Sequence, residues 1–281
     1  MEAKVLPAAA GWQWWKSAFE LLLRAPKPLM LSSILFFLGF YGVCLIVALV
    51  SSALASFAGI IGILIGILAA LAIVIFMPSL FLGLLSIFRS VDRGEKPSLA
   101  IFLQPAKERL LPLGMMGLLI VVFSWITQGL VAYVTMGTQV NELAMSLSGD
   151  PFALLGNIRL FLLFSLLISA VVMAAGWYSA FLVGWHDSSI IDALKESFMT
   201  TMKNWAPFLV SVLVYIAGVI VFCIAFGLLT TILGFILPRW LLAIVGIIAS
   251  IGLAASMSAL LFGFWYYTYK TVFEEREAAT E

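Results

Sequence analysis

Apolar and polar positions follow two different rhythms along this chain. Long unbroken apolar runs, each about as long as a bilayer crossing, are separated by short charged stretches. Two of those stretches place apolar residues at helical spacing. In the first, GWQWWKSAFELLLRAPKP, residues Trp12, Trp15, Phe19 and Leu22 fall at i, i+3, i+7 and i+10 and share a face. Gln13, Lys16, Ser17, Glu20 and Arg24 fall mostly opposite, and Trp14, Leu21 and Leu23 widen the apolar side. The segment is too short and too charged to span, and its tryptophans suit the headgroup level, so it predicts a helix lying flat at the membrane surface. A helix packed on the ends of the spans fits the same pattern, and the two readings are compatible. Arg24, Pro26, Lys27 and Pro28 end it, with Pro28 suited to the first turn of the next helix.

The second such stretch is DSSIIDALKESFMTTMKNWAP, residues 187–207. Ile191, Leu194, Phe198, Met202 and Trp205 share a face, with Lys195, Glu196, Thr200 and Lys203 opposite, and Asp187 or Ser188 is placed to cap the helix. A shorter version comprises Leu99, Phe102 and Leu103, interrupted by Pro105 and followed by AKERLL.

Six spans follow from the long runs: Pro28–Val50, Ile65–Arg89, Pro112–Met136, Phe152–Trp185 (in the membrane from Ile158), Trp205–Leu229 and Trp240–Tyr269. Ser51, Ser52 and Ser56 predict a turn after the first. The run Phe57–Phe88 would be about 48 Å long as straight helix, against an apolar layer of about 30 Å. An irregular stretch at Gly59–Gly66 is therefore expected. Gly62-x-x-x-Gly66 has the spacing for close helix approach, and Pro78 should kink the second span. Trp265, Tyr266, Tyr267 and Tyr269 read as an interfacial belt. The Gly137–Asn157 connection, with Glu142, Asp150 and the turn SGDP, lies at the other ends of the spans.

Composition sharpens this picture. The chain is 64% hydrophobic and 10% charged, far from the balance of a soluble domain. Continuous rather than alternating apolar runs exclude a β-barrel. The expected fold class is an all-α polytopic membrane protein forming a single membrane domain over 1–281. MEAKVLP lacks the short apolar core of a cleavable signal, so insertion by the first span is expected. Net charge +1 argues against a nucleic-acid partner. Cys44 and Cys223 both fall inside spans, and with one histidine they make no conventional zinc site or disulfide framework. No cofactor is expected.

Charge also orients the chain. Six spans put both termini on one side, and thirteen of the fifteen Lys and Arg fall there, leaving only Arg159 and Arg239 opposite. By the positive-inside rule both termini should be cytoplasmic. A shift of 179 residues aligns Lys16 with Lys195, Phe19 with Phe198, Pro28 with Pro207, Ser32 with Ser211, Gly39 with Gly218, Cys44 with Cys223 and Ser79 with Ser258. The shared order of flat helix, Pro, span, turn and span predicts three parallel hairpin repeats, about 10–90, 91–186 and 187–281.

Catalytic chemistry is sparse. No Asp, Glu, Lys, Arg or His lies deep in a span, which argues against ion coupling. Arg159 either snorkels to the headgroups or binds an anionic group. Arg89, Asp92, Arg93, Gly94 and Glu95 form the densest charge cluster, read as a solvated turn or a headgroup or partner contact. His186 and Asp187 are adjacent and do not face each other, so a cap is the better role for Asp187. Ser124, Thr127 and Gln128 suit interhelical hydrogen bonds better than a pore lining. No Walker loop, nucleophile elbow, metal-ligand spacing or paired carboxylates occur, so an enzyme is not expected.

Three segments, GWQWWKSAFELLLRAPKP, FRSVDRGEKPSLAIF and DALKESFMTTMKNWAPFL, together resemble a group of uncharacterised bacterial six-helix inner-membrane proteins. The chain is also similar to the membrane domain attached to some bacterial glycerophosphodiester phosphodiesterases. The resemblance covers nearly the whole chain through loose motifs. It implies an integral plasma-membrane protein and carries over no catalytic residue. The leading expectation is a non-catalytic inner-membrane protein that organises lipids, or another membrane protein, through its flat helices. Trp12, Trp14, Trp15, Arg24, Arg89, Arg93, Arg159 and Lys203 are the candidate contacts. The rival is a carrier or channel for a neutral or amphiphilic solute, drawing on the polar set of the third span together with Arg159.

Overall fold

The computed structural model describes residues 3–136 and 151–274, with the backbone alone at 57–58, 136, 151–158 and 239. The described residues form α1 (Ala10–Arg24), α2 (Pro26–Ala58), α3 (Ile60–Asp92), α4 (Leu99–Glu108) and α5 (Leu110–Met136). After these come α6 (Pro151–Gly176), α7 (Ser179–Trp185), α8 (Ile190–Lys203), α9 (Trp205–Ile236) and α10 (Arg239–Tyr269), closed by a π-helical turn at Lys270–Glu274. Six stretches are long and apolar enough to cross a membrane: α2, α3, α5, α6 with α7, α9, and α10 with its terminal turn. The chain is an all-helical, multi-pass membrane protein.

A single residue joins each short helix to the span after it. Ala25 does so between α1 and α2, Arg109 between α4 and α5, and Asn204 between α8 and α9. At the first joint Ala25 leaves helical geometry, and Pro26 and Pro28 occupy the first turn of α2, where a missing N–H costs nothing.

Several boundaries differ from the pattern-based expectation. The serines at 51, 52 and 56 do not make a turn; α2 continues to Ala58. The Ser56 hydroxyl donates to the Ser52 carbonyl at 3.0 Å, so it is satisfied inside the helix without breaking it. The break is confined to Gly59, with φ +53°, and α3 starts at Ile60 rather than Ile65. Only a residue without Cβ adopts that backbone cheaply. Gly62 and Gly66 lie within regular helix, and their spacing serves the close approach expected of it. A Cβ at Gly62 would lie 2.1 Å from the Ala55 backbone nitrogen, and one at Gly66 would meet Ser51 at about 3.1 Å. Pro105 does not interrupt α4, which runs through it with the ring buried. Of the expected Gly137–Asn157 connection, 137–150, with most of the SGDP turn, lies outside the described residues, and the rest is helix, since α6 opens on Pro151.

The described residues fall into two compact units. One comprises 3–70, 80–108 and 202–274. Its spans are largely bare along their length, with Leu45, Ile61 and Leu228 exposed, while its core gathers at the ends of α3 and α10, the latter packed against α1. Leu82, Leu84, Leu85, Phe88, Tyr266 and Tyr269 are all fully buried there. This is how a membrane protein differs from a soluble one: apolar side chains at mid-span need no protein cover because lipid supplies it. In the same unit α3 and α4 touch backbone to side: a Cβ at Gly83 would sit 2.0 Å from the Phe102 carbonyl oxygen.

The second unit comprises 71–79, 109–136 and 151–201. Pro78 lies inside α3 and leaves the Val74 carbonyl without its usual helical donor. Gly117 of α5 faces that position, where a Cβ would stand 3.0 Å from the Val74 oxygen. Gln128 of α5 donates to the Ser165 carbonyl at 3.3 Å and the Ser169 hydroxyl at 3.1 Å on α6, an interhelical bond of the kind expected. The fourth span is not one helix. It breaks between α6 and α7, and the Ser197 hydroxyl from α8 fills the gap. Ser197 donates to the Ala174 carbonyl at 2.8 Å and accepts from the Tyr178 N–H at 2.9 Å. Those two backbone groups are the i and i+4 partners a continuous helix would have joined directly, so the serine completes the ladder at the break.

Replacing Gly83 by Leu should force α3 and α4 apart and lower stability by about 2 kcal/mol or more. Gly252→Leu, which meets no atom within 4 Å, should be silent. Thermal unfolding of both variants in detergent, against wild type, reads the difference.

Candidate functional site: the α1 platform and its groove

Helix α1 packs through a face that apolar counting alone does not pick. The buried positions are Ala10, Gly11, Trp14, Ala18, Leu21 and Leu22, of which Gly11, Trp14, Ala18 and Leu21 fall at i, i+3, i+7 and i+10 and only Leu22 belongs to the apolar face of the pattern. Trp12, Phe19 and Leu23 stay more than half exposed. Small residues decide the outcome. A Cβ at Gly11 would lie 2.2 Å from the Pro207 carbonyl oxygen, and Ala18 lies against Gly263 of α10, 3.2 Å from where a Cβ would be. Helix α8 shows the same inversion. Ala193, Ser197 and Thr200 are buried, while Ile191, Met202 and Trp205 of the expected apolar face are exposed. Thr200 is buried although the pattern groups it with Lys195 and Lys203. The cap is neither Asp187 nor Ser188. The Ser189 hydroxyl accepts from the Asp192 N–H at 3.2 Å, and Asp187 pairs with Arg109 in the second unit.

The two inner tryptophans fasten α1. Trp14 is 1% exposed and donates its indole N–H to the Thr271 hydroxyl at 2.8 Å. Its ring lies 5.3 Å from Phe208 and 6.0 Å from Phe264. Trp14 therefore cannot be the lipid or partner contact expected of it: a buried indole needs a protein acceptor, and Thr271 provides one. Trp15 donates to the Ser211 carbonyl at 3.0 Å and stacks on Phe264 at 4.3 Å.

Under this platform sits an ion-pair cluster that closes the end of the same unit. Asp92, at the end of α3, has a side chain only 7% exposed. It accepts from the Tyr266 and Tyr267 hydroxyls, each at 2.9 Å, and from the Lys270 ammonium. Arg89 meets Glu274 at 2.5 Å, and Arg93 reaches the same oxygen at 3.9 Å. The charged 89–95 segment is thus not a solvated turn throughout; Asp92 and Arg89 are spent on the terminal turn of the chain. The tyrosines expected as an interfacial belt face inward for the same reason, with Tyr266 and Tyr269 fully buried. Nothing in the periodicity indicates this. The available signal is a lone acid ending one greasy helix and Tyr-Tyr-x-x-Lys ending another.

A groove runs beside the platform. Trp12, Trp15, Lys16 and Phe19 form one wall. Val214, Tyr215, Gly218 and Val219 of α9 form the second, and Met257, Leu260 and Leu261 of α10 the third. Its volume is about 280 Å³, and Lys16 supplies the one charged group in the lining. The set contains no nucleophile and no acid or base pair, and its lining is almost wholly apolar. Among the other expected contacts, Arg24, Arg159 and Lys203 are exposed. Among the described residues no cluster of His, Cys, Asp and Glu could hold a metal ion. No family model, curated protein or solved structure matches the chain.

Asp92→Asn should leave the Lys270 charge unpaired in a mostly buried position and cost about 3 kcal/mol. It should also loosen α1, which rests on the segment that Asp92 pins. Thermal unfolding together with faster proteolysis between α1 and α2 would register both effects.

Proposed function

We propose that this chain is a non-catalytic protein of a bacterial inner membrane that organises lipids through its short helices, with both termini cytoplasmic. The carrying observation is the outward-turned apolar face. On α1, Trp12, Phe19 and Leu23 are more than half exposed, and so is Ile191 on α8, with Met202 there and Trp205 at the start of α9 also exposed. A helix that buries small residues against protein and exposes large apolar ones beside Lys and Arg suits the boundary of acyl chains and headgroups. The thirteen-to-two split of basic residues supports the orientation. The likeness of three segments to bacterial inner-membrane proteins supports the location. The three single-residue joints support a build of three hairpin units, each opened by an interfacial helix.

The carrier reading is weaker because the polar set of the third span is already engaged. Ser124 donates to the Ile120 carbonyl and Thr127 to the Phe123 carbonyl within their own helix, and Gln128 is bonded to α6. Ser124 and Thr127 are thus satisfied within α5, not between helices as expected, and Gln128 alone of the three joins α5 to α6.

Trp12→Ala, Phe19→Ala and Leu23→Ala combined should leave insertion and thermal stability unchanged, because none of the three is buried. The variant should reduce the number of motionally restricted lipids per protein, measured by spin-labelled lipid in reconstituted vesicles. An unchanged number would remove the lipid-organising role.

A further inference from the structure

The groove beside α1 has two counterparts, and all three share one register. In the first, the short helix contributes Trp15, Lys16 and Phe19, positions i, i+1 and i+4. In the second, at the start of α4, it contributes Ser98, Leu99 and Phe102, again i, i+1 and i+4. In the third, on α8, it contributes Leu194, Lys195 and Phe198, the same three offsets.

The facing spans agree as well, counted from the proline that opens each. Val214, Tyr215 and Gly218 lie seven, eight and eleven residues past Pro207. Leu119, Ile120 and Phe123 lie seven, eight and eleven past Pro112. Leu35 and Phe36 lie seven and eight past Pro28. The first and second grooves lie within one compact unit and the third within the other. Incidental gaps between bare helices would not fall on matching positions three times. The volumes are also alike, about 280, 340 and 400 Å³.

We infer that these are three acyl-chain sites of one design, and that Lys16 and Lys195 make the first and third select an anionic phospholipid. This rests on the lipid-organising reading and names the lipid class. The lining is almost wholly apolar, so sugars, nucleotides and peptide backbone would lose their hydrogen bonds on entry, whereas a hydrocarbon chain loses none. The charge at the rim then decides the headgroup. Lys16 and Lys195 each line their groove and are exposed, and a lysine so placed can lay its stem on apolar surface while its ammonium reaches a phosphate at the membrane surface. Glu20 approaches Lys16 only to 3.9 Å with both side chains about half exposed or more, a pairing too weak to withdraw the lysine from a phosphate. In the second groove Leu99 stands in the lysine's place, so that site takes a chain without preferring a charged head.

The test uses the full chain, loaded with equal amounts of phosphatidylglycerol and phosphatidylethanolamine of different mass, with retained lipids counted by native mass spectrometry. Wild type should retain phosphatidylglycerol in preference at two sites. Lys16→Gln and Lys195→Gln should each weaken one of them about fivefold, the effect of one lysine near an anionic headgroup, and the pair should remove the preference. Phosphatidylethanolamine retention should not change. Gly218→Phe has open space to fill, because no atom lies within 4 Å of its would-be Cβ. It should block the first groove, removing one lipid whatever its headgroup and leaving the melting temperature unchanged. Equal retention of both lipids by wild type, or full retention by the double lysine variant, would overturn the selection while leaving the lipid-organising reading in place. Undiminished lipid with Gly218→Phe would overturn the groove as the site. A wild type that retains no lipid and restricts none in vesicles would overturn both readings.

Discussion

The buried carboxylate of Asp92 is what the larger unit is fastened by. It ends one long apolar helix and receives two tyrosine hydroxyls and a lysine from the end of another. An ion pair in such a place contributes little net stability, because desolvating both charges offsets their attraction. Its effect is positional. Losing either partner strands the other, so the ends of α3 and α10 have one low-energy arrangement. That arrangement carries Thr271 and Phe264 to where the indoles of α1 need them. Bare spans can slide and tilt against one another in lipid at small cost, since lipid and apolar side chains are nearly interchangeable partners. A polar lock at the end removes that freedom where α1 sits.

Each short helix is seated on a long one by something small, and the means differ. Ala18 lies on Gly263, the Phe102 carbonyl fits over Gly83, and the Ser197 hydroxyl enters the broken ladder at Ala174 and Tyr178. In each case close approach is gained without a large side chain between the helices. Large apolar residues are thereby left on the other face of α1 and α8. The matched positions of the three grooves follow from the same geometry. Each groove pairs a short helix with a span other than its own, α1 with α9, α4 with α2 and α8 with α5, and in each the facing residues stand at the same distance from the proline that opens the span.

Much of the architecture was legible in the chain because hydrocarbon thickness constrains it so tightly. Six continuous apolar runs permit little besides six helices, and Pro28, Pro151 and Pro207 mark helix openings by their missing N–H. Gly62 and Gly66 announced a close approach and made one. The failures share a cause. Periodicity ranks residues by greasiness, whereas packing in this protein is decided by size, so the apolar faces of α1 and α8 gave no sign of the small residues, Gly11, Ala18, Ala193 and Ser197, through which the two helices pack. Serine was read as a turn former, although in apolar surroundings its hydroxyl simply bonds the carbonyl a turn back, as Ser56 does. The Tyr266–Tyr267 pair was read as facing the interface because its partner, Asp92, is 174 residues away and no local pattern links them. Of the candidate contacts, the exposed Trp12, Arg24, Arg159 and Lys203 keep the surface placement expected of them. Trp14 and Arg89 were taken up by the fold.

The central claim is that α1 is clamped on one side and turned to the membrane on the other. A spin label placed in turn at each position from 11 to 24, in vesicles, reads this directly through its accessibility to lipid-soluble oxygen and to a water-soluble nickel chelate. Positions 14, 18 and 21 should be shielded from both reagents, 12, 19 and 23 should favour oxygen, and 13, 16 and 20 should favour nickel. Uniform accessibility to nickel around the helix, or oxygen reaching 14 and 18 as freely as 12 and 19, would contradict it.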